Sequence, residues 1–399
     1  MTPKTLSLLK RFVSLGAVCL VLLGCQPPTA DPDDAAPATV TVTASVSWTA
    51  TTGPTATGAP TVPASLTSRP PSPAPSPRPT TTLDLLRGRT AAEATLDSLR
   101  RVDDYPLYTM RYYGPWEEAA APASPDIAPQ PRRAAPAWAC SLFAALGDPE
   151  KRLFGRNFDW RYSPALLLFT DPPDGYASVS MVDLAYLVDP ADAGRLTELS
   201  VADRRPLLQA PLWTFDGMNE HGLVVGMAAV PESEMPYDPS KPTIDSLGII
   251  REMLDRARNV DEALAVLQAY TISWEGGPPL HYLIADAAGD AVLVEFVDGE
   301  MVLLSRDEQA PWHAATNHWR ATVAIGRPSG CWRYDLVERE LEEREGHLTV
   351  PRAMQLLTDV SQAETQWSVV YDLSLRAVHV VMGRAYDVVH HFRLAEGDG

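Results

Sequence analysis

Three residues near the middle of the chain have types and spacing suited to nucleophilic chemistry. They are Cys140, Arg156 sixteen positions later and Asp159 nineteen positions later. A thiol becomes a useful nucleophile once a neighbouring base or positive charge produces thiolate. The segment 140–160, CSLFAALGDPEKRLFGRNFDW, supplies a guanidinium and a carboxylate but no histidine. One arrangement works without one: the α-amine of the cysteine itself serves as base when that residue begins a chain. An α-amine with a pKa near 8 suits that role.

These residues need a hairpin to bring them together. The turn Gly147-Asp148-Pro149-Glu150 separates apolar runs at 141–146 and 152–158. Two strands joined there return Arg156 and Asp159 to the neighbourhood of Cys140. Further strands are predicted at 178–187, 223–229, 281–285, 291–296, 301–304, 312–316, 367–372, 377–382 and 387–392. Helices are predicted at 246–258, 260–270, 332–344 and 351–360. Strand clusters separated by helix clusters, without strict alternation, predict an α+β layered body with antiparallel sheets. Residues 83–102 place Leu85, Leu86, Ala92, Leu96 and Leu99 at helical spacing. Residues 83–139 are therefore expected to form a helical pro-segment or small subunit, ending in the Pro/Ala-rich stretch 115–138. A stretch of that kind is the exposed loop that a cut before Cys140 requires.

Cys140, Arg156 and Asp159, with LFGRNFDW, resemble the start of an N-terminal-nucleophile hydrolase of the choloylglycine hydrolase and penicillin V acylase type. Isopenicillin-N acyltransferase, acid ceramidase and N-acylethanolamine acid amidase are related groups. DGMNEHGLVVG (216–226) is similar to that family's GMNEKGL strand and turn, ATNHW (315–319) to its TN motif, and QWSVVYDLSLRAVHVV (366–381) to its closing strands. The resemblance covers about residues 140–393. It implies a four-layer αββα sandwich with antiparallel sheets and a catalytic domain spanning 140–399. Cys140 is then the nucleophile, exposed by self-cleavage at Ala139–Cys140, and its α-amine the base. Asp159 orients and charge-balances the amine, Arg156 biases the thiol toward thiolate, and Asn317 donates to the tetrahedral oxyanion. Asn219 either supports the chemistry or forms the turn before Gly222.

Two departures bear on substrate. Where bile-salt hydrolases carry an oxyanion-hole Asn after GMNEKGL, this sequence has Ala229. Where they carry an Arg directly after a Ser in the last motif, Ser329 is followed by Gly330, and the nearest candidate is Arg333. None of the eight histidines has a compact ligand spacing, so neither a metal nor another cofactor is expected. His318 either touches substrate or packs. Cys331 has no motif and reads as packing, and a Cys140–Cys331 disulfide would block the chemistry. Trp138, Trp160, Trp213 and Trp319 flank the site segments and either line an apolar acyl pocket or pack in the core.

The remainder of the chain reads as an address and a tether. Residues 1–25 have a basic start, an apolar run of about 12 residues and the ending Leu22-Leu23-Gly24-Cys25. That run is too short to span a bilayer, and the ending resembles a bacterial lipobox in which Cys25 is lipidated. Residues 26–82 hold 13 of the 37 prolines and only five charged residues. A segment so poor in large apolar residues reads as a disordered tether. With a net charge of −18 over the chain, three positive charges in 1–25 and one net negative in 26–82, the body carries −20. Such a body repels nucleic acid. The expectation is an extracytoplasmic lipoprotein, anchored to the bacterial cell membrane through its lipidated N-terminus. It would hydrolyse a linear amide bond in an N-acylated small molecule, as a heterodimer of its own processed chains. Two alternatives stand beside it: acyl transfer to an amine, and a non-catalytic binding lipoprotein on the same scaffold.

Overall fold

The computed structural model describes residues 89–114, 139–232, 234–275, 277–323 and 329–396. The expected signal segment with Cys25, the expected tether 26–82 and the expected processing loop 115–138 lie outside the described residues.

The described chain opens with helix α1 (Ala91–Asp97), followed by strands β1 (Arg100–Asp103) and β2 (Leu107–Tyr112). The hairpin predicted around Cys140 is present as β3 (Ala139–Ala145) and β4 (Leu153–Asp159). Next come β5 (Ala165–Thr170), β6 (Ser178–Asp183), β7 (Thr214–Asn219), β8 (Val224–Ala229) and β9 (Thr243–Asp245). Helices α2 (Gly248–Arg256) and α3 (Val260–Gln268) precede β10 (Thr271–Ser273), β11 (Leu280–Ala285), β12 (Ala291–Val297), β13 (Glu300–Ser305) and β14 (Trp312–Ala315). Helices α4 (Trp332–Glu343) and α5 (Val350–Asp359) then lead to β15 (Thr365–Asp372), β16 (Ala377–Met382) and β17 (His390–Arg393).

Nine strands form one sheet in the order β1-β2-β5-β6-β7-β8-β11-β12-β13, and six form a second in the order β14-β3-β4-β15-β16-β17. Helices α2 and α3 pack on the larger sheet, α4 and α5 on the smaller. The result is the expected αββα layering. Every pairing in the six-stranded sheet is antiparallel. The nine-stranded sheet contains one parallel pair, β2 with β5, and β9 pairs with β10 in parallel as a separate ribbon.

Alternation along β3 explains why its apolar residues run without a break. Leu142 and Ala144 face the larger sheet, while Phe143 and Ala145 face α4 and α5. The two sheets approach closely at Gly226. A Cβ there would lie 2.7 Å from a Leu142 methyl and 2.9 Å from the Phe154 ring, so any side chain would push the layers apart.

One sequence expectation is corrected. Residues 83–102 were expected to be helical, but within the described part only α1 is helix. It starts at a capping box formed by Thr90 and Glu93 and ends at Ser98. Residues 100–103 are strand, and β2 pairs with β5 inside the large sheet. The segment before Cys140 thus enters the sandwich partly as strands rather than being helical throughout. Its burial alternates along 107–112, because Tyr108, Met110 and Tyr112 pack into a cluster with Leu166, Leu168 and Val182. The strand predicted at 178–187 ends at Asp183, whose side chain accepts the Ala185 N–H and starts a 3₁₀ turn.

Candidate active site

Cys140 is the second residue of β3, and register decides what it meets. Ala139 pairs with Asp159, Cys140 with Phe158, and Leu142 with Arg156. Side chains alternate, so Cys140 and Arg156 share the face toward the larger sheet, while Ser141 and Asp159 lie on the face toward α4 and α5. The site therefore straddles one strand: thiol chemistry on one side, backbone chemistry on the other.

On the thiol side, Sγ of Cys140 lies 3.9 Å from Nη2 of Arg156, and Cys140 is fully buried as a free thiol. The thiol's pKa is raised, because burial outweighs the pull of the Arg156 guanidinium. Arg156 thus acts in the expected direction, toward thiolate, while the burial of Cys140 works against it. Arg156 is held by further partners. Its Nη1 forms a fully buried ion pair with Asp216 and donates to the Phe215 carbonyl at 2.9 Å. Tyr371 donates its hydroxyl to the other oxygen of Asp216.

On the backbone side, the Cys140 N–H donates to Oδ1 of Asn317 at 2.5 Å. Arg333, in the first turn of α4, donates to the Cys140 carbonyl, to Ser141 Oγ at 3.0 Å and to Asn317 Oδ1 at 3.0 Å. Two donors converging on Oδ1 fix the orientation of the amide, and Nδ2 donates to the Ala229 carbonyl at 2.7 Å. Ala229, the departure noted in the sequence, thus enters the site through its backbone. Asp159 accepts from Thr365 Oγ1 at 2.5 Å, while its Oδ2 accepts no hydrogen bond and stands 4.0 Å from Arg333 Nη1. Burial pushes Asp159 up to about 7, against the opposing pull of Arg333 and Thr365.

The structure therefore brings Cys140, Arg156, Asp159, Asn317 and Arg333 together. Of the two readings of Asn219, its hydrogen bonds match the turn, because its amide is engaged away from Cys140. Nδ2 donates to the carbonyls of Leu254 and Ala257 at the end of α2, and Oδ1 accepts the N–H groups of His221 and Leu223. It closes the turn in which Gly222 takes φ +77°. His318 packs edge-on against Tyr334, and Cys331 is buried at the N-cap of α4; Cys140 is a free thiol and is not bonded to it. Three contributors escaped the sequence reading: Asp216, Tyr371 and Thr365. For Asp216 a signal existed, since it opens the DGMNEHGL motif and a buried arginine requires a carboxylate partner.

Beside Arg156 lies a cavity of about 370 Å³ whose walls include Tyr186, Trp213, Phe215, Met227, Leu247 and Leu280. Met227 connects it to the site, its Sδ lying 3.9 Å from Arg156 Nη2. Of the flanking tryptophans, Trp213 lines this cavity, stacked on Tyr186 at 4.9 Å. Trp319 instead meets His281, and Trp160 is buried beside Arg161. Trp138 lies outside the described residues.

The family model described as acyl-coenzyme A:6-aminopenicillanic acid acyl-transferase matches residues 147–372, more than half of the chain. The chain belongs to this family. The matched stretch contains Arg156, Asp159, Asn317 and Arg333 and begins just past Cys140. The chain is also similar to a penicillin V acylase from Pectobacterium atrosepticum, 34% identical over 103 residues. That match covers 23% of this chain and spans only 27% of that protein's length. Among solved structures, penicillin V acylase from Agrobacterium tumefaciens is 18% identical with a TM-score of 0.44, the match covering 64% of this chain and 87% of that one. A mutant of conjugated bile acid hydrolase from Clostridium perfringens is 14% identical with a TM-score of 0.43, covering 65% and 94% respectively.

Proposed function

We propose that this protein hydrolyses a linear amide bond in an N-acylated small molecule, through an acyl-thioester on Cys140. The observation that carries the reading is the convergence on Cys140. Its thiol, N–H and carbonyl each meet a different member of the set Arg156, Asn317 and Arg333. Membership of an acyl-transferase family, and the likeness of one stretch to a penicillin V acylase, support acyl chemistry.

Two reactions follow in sequence. First the thiol attacks the carbonyl of Ala139, the Ala139–Cys140 amide bond breaks to free the α-amine, and water hydrolyses the resulting Ala139 thioester, releasing the Ala139 carboxylate and the Cys140 thiol. Asp159, in register with Ala139 on the face opposite the thiol, lies beside the bond that breaks; once ionised, at a pKa of about 7, it meets the positive charge that develops on the leaving nitrogen. Second, the amine acts as base while the thiol attacks the substrate carbonyl. The acyl group passes to sulfur, the amine of the substrate leaves with a proton, and water resolves the thioester. Asn317 then donates to the oxyanion with the N–H not spent on Ala229, and Asp159 meets the new ammonium with its free oxygen. The apolar cavity beside Met227 accommodates the acyl chain.

Full burial of Cys140 favours a second reading, acyl transfer, because exclusion of water lets an amine intercept the thioester. The N-terminal segment completes the proposal: a lipoprotein signal ending at Cys25, a Pro/Thr-rich tether and an extracytoplasmic enzyme held at a bacterial membrane.

The test is a hydrolysis screen over N-acyl amides of graded chain length, with Cys140→Ala as control. Turnover by the parent and none by the variant supports the reading. A parent with neither cleavage nor turnover points to a binding lipoprotein, and an acylated amine formed when a second amine is added points to transfer.

A further inference from the structure

Two fully buried ionisable residues take no part in the chemistry above. Glu295 lies on β12 and His281 on the adjacent β11, where Tyr282 pairs with Val294 and so sets the two side chains beside each other. A carboxylate in such a place is costly unless its oxygens are engaged. Here Oε1 accepts the Arg320 N–H at 2.8 Å and lies 3.1 Å from His281 Nδ1, while Oε2 accepts the Ala321 N–H at 2.8 Å. A carboxylate only accepts, so Nδ1 of His281 carries the proton. Burial alone would raise the pKa of Glu295, but these hydrogen bonds outweigh it and hold the group below the ordinary range.

Arg320 and Ala321 belong to the loop that follows β14, and Asn317 sits in the same loop. The loop's other anchors are side chains. Thr316 donates to Cys331 Sγ at 3.3 Å, and His318 Nδ1 lies 2.9 Å from the Thr316 hydroxyl. The Arg320 guanidinium lies 4.0 Å over the Tyr334 ring, beside Arg333. Glu295 holds the loop by its backbone. Without it, two N–H groups lose their acceptor, and a loop pays for that by moving until water or another acceptor reaches them.

We propose that Glu295, supported by His281, is the positioning residue that holds Asn317 against Cys140. This rests on the reading of Asn317 as part of the reacting site. Neither Glu295 nor His281 touches Cys140 or substrate; both act through the backbone of 320–321.

The test compares Glu295→Gln, His281→Leu and His281→Asn with the parent, using hydrogen exchange of backbone amides and steady-state kinetics on an N-acyl amide. Gln presents only one acceptor oxygen to two N–H groups. We expect exchange across 317–321 to rise at least tenfold while β11 and β12 keep their protection. With it, kcat falls at least tenfold and KM changes less than twofold. His281→Leu follows the same pattern, and His281→Asn, whose amide can donate from the Nδ1 position, recovers most of what the leucine loses. Unchanged exchange at 317–321 overturns the proposal. So does a fall in kcat matched by loss of protection throughout β11 and β12, which marks a general folding role. Should the Gln variant not fold, the two His281 variants decide alone. A parent without amide turnover sinks the functional reading instead, and the exchange data then judge the positioning role separately.

Discussion

Two buried guanidinium–carboxylate pairs flank Cys140, one on each face of β3, and they differ in kind. Arg156 and Asp216 form a direct ion pair between the sheets, with Tyr371 and the Phe215 carbonyl filling further sites. Arg333 and Asp159 stand 4.0 Å apart on the helix side, and Asp159 keeps one oxygen free of hydrogen bonds. The first pair is settled; its charges cancel and it fixes Arg156 beside the thiol. The second is unfinished, and its carboxylate is held near neutrality by burial. The contrast assigns the pairs different work. A closed pair keeps shape, while an open one can take up a proton or meet a new ammonium group.

Substitutions that remove one partner separate the two roles. The largest effect is expected for Asp159→Asn, which should slow self-cleavage at least 100-fold while leaving thermal melting close to that of the parent. In the parent, the cleavage rate should climb as pH rises through about 7, where Asp159 loses its proton. Cleavage time courses read by gel across pH 5–9 check both statements. Asp216→Asn should act on stability instead. It strands the Arg156 charge in the core, at a cost of about 3–5 kcal/mol by denaturant titration. Replacing both Arg156 and Asp216 with apolar residues should return most of that stability without returning activity.

A smaller effect sharpens the comparison from outside the site. Asp183 is buried like Asp159 and is also pushed up to about 7, chiefly by burial. A carboxyl with its folded-state pKa raised contributes stability below its unfolded value, near 4, and loses it as pH rises through 7. Asp183→Asn should therefore melt level with the parent at pH 4 and above it at pH 8, with self-cleavage unaltered. Calorimetry at the two pH values checks it.

The hairpin carrying Cys140, Arg156 and Asp159 was legible from its turn residues and apolar runs, and the four later helices from their periodicity. The second sheet was harder. β5 is ALLLFT, buried along its whole length, and carries no alternation to mark it as strand. The leucines at 85, 86, 96 and 99 suggested one long helix, yet the chain turns at Ser98, whose hydroxyl bonds back to Thr95 and across to Arg111. Asn219 and Asn317 both sit in motifs that resemble the family's. Only the fold separates them, because one faces the end of α2 and the other faces Cys140. Asp216 and Tyr371 are 155 residues apart and meet through sheet packing that no local pattern records.

The central claim is that the catalytic chain begins at Cys140, and intact-mass measurement of the purified protein tests it most directly. The parent should yield a 260-residue fragment, Cys140–Gly399, and Cys140→Ala an uncut chain. A parent that stays uncut and still hydrolyses amides would contradict it.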